Sequence, residues 1–116
     1  MQDITERTFK FALRVVKLFR FLNEEYSADK HILAKQLLRS GTSIGANVEE
    51  AQSGQSRADF ISKMSIALKE ARETNYWLRL LDAGDFVATE KIADLLTESE
   101  ELKKILASII VSSKKR

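Results

Sequence analysis

The chain has 116 residues, 44 % hydrophobic and 31 % charged, with a formal net charge of +2. That length suits one domain, residues 1–116, with its own core. The balanced charge excludes a strongly basic, histone-like binder while leaving room for a local basic patch. With no cysteine there is neither disulfide nor thiolate chemistry. No apolar run approaches the ~18 residues of a membrane span. The acidic start Met1-Gln2-Asp3-Ile4-Thr5-Glu6 lacks the basic region of a signal peptide, so a cytoplasmic location is expected.

The first helix is expected over about 4–25, opened by Asp3 and Glu6 as a variant capping box. Ile4, Thr8, Phe11, Val15, Leu18 and Leu22 step by four and three and form its core seam. Phe9, Leu13 and Val16 make a second row, and Arg7, Lys10, Arg14 and Lys17 line the far side. Between Arg7 and Arg20 there are five basic residues and no acid.

Ser27 is the expected N-cap of a second helix reaching about residue 52. The middle of that segment, Arg39 to Ala51, has the composition of a loop, with Gly, Ser, Thr and Asn. Its spacing is helical: Leu33, Leu37, Ser40, Ile44, Asn47 or Val48, and Ala51 fall on one face. A helix carrying Gly41 and Gly45 gives up about 1 kcal/mol for each relative to alanine, a cost tolerated where another backbone comes close. Arg39, Ser40, Gly41, Ile44, Gly45 and Asn47 are therefore read as the narrow waist of a helical bundle.

Ser56 to Asp59 is a helix start signal for a third helix over about 57–83. Its seam is Phe60, Met64, Ala67, Ala71, Thr74, Leu78 and Leu81, small in the middle to match the waist. A second row holds Ile66, Glu70, Glu73, Trp77 and Leu80. Gly84 is expected as a left-handed C-cap and 85–88 as a linker. Thr89 then caps a fourth helix over about 90–112, with Ile92, Leu95, Ser99, Leu102, Leu106 and Ile109 as its seam. Six acids stand against Lys91 between Asp85 and Glu101, and lysines follow, the order the helix dipole favours. Four helices joined by short loops predict an all-α, antiparallel up-and-down four-helix bundle.

Catalytic chemistry finds no foothold. His31 is the only histidine, so the Glu-x-x-His pairs of a di-iron bundle are absent. No serine has a glycine-framed elbow, and Gly41 to Gly45 is not followed by the Gly-Lys-Ser/Thr of a phosphate loop. No catalytic residue, metal or cofactor is expected. Ser40, Asn47, Thr74 and Asn75 fall on or beside core seams, either as a register-fixing hydrogen-bond network or as a ligand niche. Arg7, Lys10, Arg14, Lys17 and Arg20 read either as a solvated face or as a phosphate-tracking stripe. The rows Phe9, Leu13, Val16 and Ile66, Glu70, Glu73, Trp77, Leu80 either widen the core or form an oligomer interface, and the placement of Trp77 among acids favours the interface.

Arg39-Ser40, Ser43-Ile44 and Asn47-Val48-Glu49-Glu50-Ala51, followed by Ser56-Arg57-Ala58-Asp59-Phe60 and Ile66-Ala67 with Glu70, resemble a known family. It is that of the small four-helix-bundle proteins associated with intervening sequences of bacterial 23S rRNA genes. That family is similar in fold to the accessory variability determinant proteins of diversity-generating retroelements. The resemblance spans nearly the whole chain and is most specific from Arg39 to Leu81. Where many members read Glu-Gly after the asparagine, this chain reads Glu50-Ala51, which extends the helix and leaves the turn to Gly54. The resemblance implies a bacterial cytoplasmic protein forming a ring-shaped homopentamer. It also implies binding of structured RNA or RNA–DNA hybrids through basic outer surfaces. The expected function is thus non-enzymatic and RNA-associated; the alternative is a structural or protein-interaction module without nucleic acid.

Overall fold

The computed structural model describes residues 3–115. Met1, Gln2 and Arg116, at the ends of the acidic start and the basic tail, lie outside the described residues. Four helices follow one another: α1 (Ile4–Leu22), α2 (Ala28–Gln52), α3 (Arg57–Ala83) and α4 (Thr89–Lys114). They run up and down as an antiparallel four-helix bundle, 48 × 21 × 20 Å. Each helix packs closely on the next, and α1 and α4 close the square more loosely.

The seams read from spacing are buried along most of their length, with Ile4, Leu33 and Phe60 only partly buried at their ends. Thr8, Phe11, Val15, Leu18 and Leu22 of α1 face inward, as do Met64, Ala67, Ala71, Thr74, Leu78 and Leu81 of α3. Burying a leucine- or valine-sized side chain contributes about 1.5–3 kcal/mol. In α2 the alternative at the seam resolves to Val48, which is fully buried. Asn47 turns aside and donates its amide to the Ser43 carbonyl at 2.9 Å. In α4 Ile110 is the buried end of the seam, with Ile109 packed at its edge.

Helix ends depart from expectation where side chains outside the helix intervene. α1 stops at Leu22, short of 25, because Asn23 donates its side-chain amide back to the Phe19 carbonyl. Asp3 and Ser27 hold the N-cap positions without a side-chain cap bond. At α3 the signal holds: Ser56 Oγ accepts from the Asp59 amide at 3.1 Å. α2 runs on through Ala51 to Gln52 and ends at Ser53 as C-cap, with the Gly54 amide donating to the Ala51 carbonyl at 3.1 Å.

The end of α3 differs most. Gly84 has φ −83°, and the left-handed residue is Asp85 at φ 59°. The Phe86 amide donates to the Leu81 carbonyl and the Asp85 amide to that of Asp82, the pair of bonds that defines a Schellman motif. Glycine is needed at 84 for room, since a Cβ there would lie 2.7 Å from the Phe86 ring. Phe86 packs on the core and Val87 is buried, while Asp85 and Ala88 stay exposed, so the linker 85–88 is pinned to the core by its two middle residues. Thr89 begins α4, behind Ala88 at the N-cap, and its hydroxyl donates to Asp82.

Candidate interaction surfaces

The waist is built from two different contacts. On one side α2 meets α1: a Cβ at Gly41 would lie 2.8 Å from a Val15 methyl, and one at Gly45 3.2 Å from the Thr8 carbonyl oxygen. The glycines therefore admit α1, not the small section of α3 that the spacing suggested. On the other side Ser40 and Thr74 bring their hydroxyls to 2.9 Å in the core between α2 and α3. A separate buried pair joins α3 to α4, where the Asn75 amide donates to Ser99 Oγ at 2.9 Å. Ser99 in turn donates to the Leu96 carbonyl. No buried side-chain polar atom among the described residues lacks a partner. These groups do the work of a register network, with no unpaired group turned toward a ligand.

Arg39 lies at the mouth of the waist and spans two acids of α3. It donates to Glu70 at 3.4 Å and to Glu73 at closer range. Trp77 Nε1 also donates to Glu73, at 3.3 Å. Hydrogen bonds from Arg39 first, and then from Trp77, hold the Glu73 carboxyl below the usual carboxylate range, against the opposing effect of burial. Glu70 is buried, and Glu50 pairs with Lys63.

The basic stripe of α1 turns toward α4. Arg7 makes a two-pronged pair with Glu98, at 2.6 and 2.8 Å, and that bond raises its pKa. Lys10 pairs with Glu6 at 3.0 Å. Arg14 and Lys17 line a groove with Phe21, Glu90, Lys91 and Asp94. Lys91 sits 4.9 Å from the centre of the Phe21 ring. Arg20 stays exposed near the end of the helix. The acidic half of α4 thus faces the basic run of α1, a pairing that lies 91 residues apart along the chain.

The second rows split. Phe9 and Leu13 are 55 % and 48 % exposed on the side of α1 away from the core, with Val16 half-buried between them and the bundle. On α3, Ile66 and Leu80 are exposed while Trp77 packs against the core. The acids in that row, Glu70 and Glu73, are already engaged by Arg39. Outside the surfaces expected from the sequence lies a further row on α3, namely Lys69, Arg72, Tyr76 and Arg79. All four are exposed, and their 3-4-3 spacing was the signal available. No group of acids or histidines among the described residues is arranged to hold a metal ion. No helix among them is long and apolar enough to cross a membrane.

This arrangement has known counterparts. A solved structure from Bacteroides thetaiotaomicron VPI-5482, described as a protein of unknown function from the S23 ribosomal protein family, superposes with a TM-score of 0.85 at 45 % identity, covering 93 % of this chain and 98 % of that one. No match was found among curated proteins. A family model described as 23S rRNA-intervening sequence protein matches residues 2–108. With sequence match and fold agreeing over nearly its whole length, the chain belongs to the 23S rRNA-intervening sequence protein family.

Proposed function

We propose that this chain is a non-enzymatic cytoplasmic scaffold that assembles with copies of itself and associates with structured RNA. The observation that carries assembly is the apolar side chains a lone chain leaves in water: Phe9 and Leu13, one turn apart on α1, and Ile66 and Leu80, about 21 Å apart along α3. Two unlike patches meeting head to tail form a heterologous contact, which closes into a ring if the rotation allows. The family resemblance supplies the number five. RNA as partner is what the family resemblance implies, and exposed cations on the outer helix faces support it.

Light scattering at micromolar concentration tests the first part. An oligomer is expected, and Leu13→Ser combined with Leu80→Ser, both at exposed positions, should yield smaller, still helical species. A monomeric wild type defeats assembly. Filter binding of structured RNA at two salt concentrations tests the second part, because phosphate contacts make affinity fall steeply with salt. The second reading, a protein-interaction module without nucleic acid, is favoured by one observation. Arg7 and Lys10 are already paired within the chain, so the α1 stripe is a poor phosphate track. No binding at low salt decides for that reading.

A further inference from the structure

The outward row of α3 differs from the α1 stripe in having no acid against it. Lys69, Arg72, Tyr76 and Arg79 recur at helical spacing over ten residues, about 15 Å of helix. The acids of α3 are Asp59, Glu70, Glu73 and Asp82: Asp59 sits in the N-terminal cap, Glu70 and Glu73 are held on the α2 side by Arg39, and Asp82 accepts from the Thr89 hydroxyl. On the neighbouring α4, Glu100 pairs with Lys103 of its own helix at 3.2 Å. Lys69, Arg72 and Arg79 form no ion pair among the described residues, so no carboxylate neutralises them inside the molecule.

The row is also partly built in advance. Arg79 Nε donates to Asn75 Oδ1 at 3.0 Å. Asn75 is buried and anchored in turn by Ser99. A neutral buried amide thus fixes the stem of an exposed guanidinium without cancelling its charge. The guanidinium carbon lies 5.7 Å from the centre of the Tyr76 ring, within cation–π range. Tyr76 itself is 48 % exposed and braced edge-on by Trp77, with ring centres 5.1 Å apart. Holding an arginine over an exposed aromatic lowers the cost of ordering both when something docks.

We propose that Lys69, Arg72, Tyr76 and Arg79 form the contact row for an unpaired polynucleotide strand, with phosphates on Lys69 and Arg72 and a base against the Tyr76–Arg79 pair. This rests on the RNA-associated reading above and names the surface that serves it. Cations tracking a backbone beside an aromatic on which a base stacks is the general chemistry of single-strand binding. A row of about 15 Å accommodates about four stacked nucleotides at ~3.4 Å each. A paired duplex hides the base faces that the aromatic needs.

Fluorescence anisotropy with labelled oligouridine of about twelve nucleotides, oligodeoxythymidine of the same length and a fully paired RNA duplex tests this on the full chain. Oligouridine should bind more tightly than the duplex. Tyr76→Ala should weaken it about 5- to 150-fold, as expected for one lost stack, while Tyr76→Phe keeps the ring and the affinity. Lys69→Gln with Arg72→Gln should flatten the salt slope by about 1.4, at ~0.7 per single-strand contact. Arg14→Gln with Lys17→Gln should leave binding unaltered. Oligodeoxythymidine bound equally supports contact through phosphate and base alone, and weaker binding supports an added ribose contact. Wild type without affinity for any probe at low salt removes the RNA reading and this inference together. Wild-type affinity in the α3 double variant, or a preference for duplex, overturns the row alone. So does loss of oligomeric state in that variant by light scattering, which makes the row an assembly surface.

Discussion

Two helices carry cations at the same spacing and end in opposite electrostatic conditions. On α1, Arg7 is closed off by Glu98 and Lys10 by Glu6, and Arg14 and Lys17 share their groove with Glu90 and Asp94. On α3, the acids within reach are drawn to the other side by Arg39, and Lys69, Arg72 and Arg79 are left facing water. The α1 run is the more conspicuous in the sequence, with five cations and no acid. Two of the five, Arg7 and Lys10, are nonetheless tied to carboxylates, and opposite charges about 4 Å apart attract by roughly 1–4 kcal/mol near a protein boundary. A count of cations along one helix says little until the neighbouring helix is known.

The largest way to break this contrast is to lift α1 off its seat. Gly41→Leu should cost more than the ~1–3 kcal/mol typical of overpacking, since even a Cβ there meets stiff, buried Val15 at 2.8 Å. The α1 cations would move away from α4 with the helix. A thermal melt equal to wild type would show that the close approach is absent.

A smaller change sharpens the contrast. Glu98→Gln removes the carboxylate from Arg7 and should cost about 1 kcal/mol in urea denaturation, as for a modest ion pair. It should also steepen the salt dependence of RNA binding by about 0.7 to 0.9, the share of one added phosphate contact. An unaltered slope would mean that α1 stays outside the contact even when unmasked.

The smallest effect is on pH dependence. Because Glu73 is held below the usual carboxylate range by Arg39, the unfolded chain takes up that proton first as pH falls. Its contribution to stability is complete above the unfolded value of about 4.3 and is lost as pH drops through the folded value. The urea midpoint of wild type should therefore exceed that of Glu73→Gln at pH 7, by less than about 1 kcal/mol for so exposed a pair, and converge on it as pH falls below the folded value. A constant gap across that range would remove the Arg39–Glu73 contact from the account.

The chain alone was legible where a pattern repeats between neighbours three and four residues apart. Helical period placed Phe11, Val15, Met64, Leu78, Leu102 and Leu106 in the core, and the Ser56–Asp59 signal fixed the start of α3. The glycine-bearing middle of α2 was legible as helix because its apolar positions kept the period through a loop-like composition. The tertiary structure alone decided which partner each face meets. Spacing showed that Gly41 and Gly45 admit something close, but whether α1 or α3 depends on the azimuth at which each helix docks. It did not give the Phe86 ring folded over Gly84. Nor did it give the pairing of Arg7 with Glu98, since Coulomb attraction acts through space while the two stand at opposite ends of the chain. The free row on α3 became visible only once Arg39 was seen to hold Glu70 and Glu73, because a surface charge is defined by the counter-charges that packing brings to it or takes away.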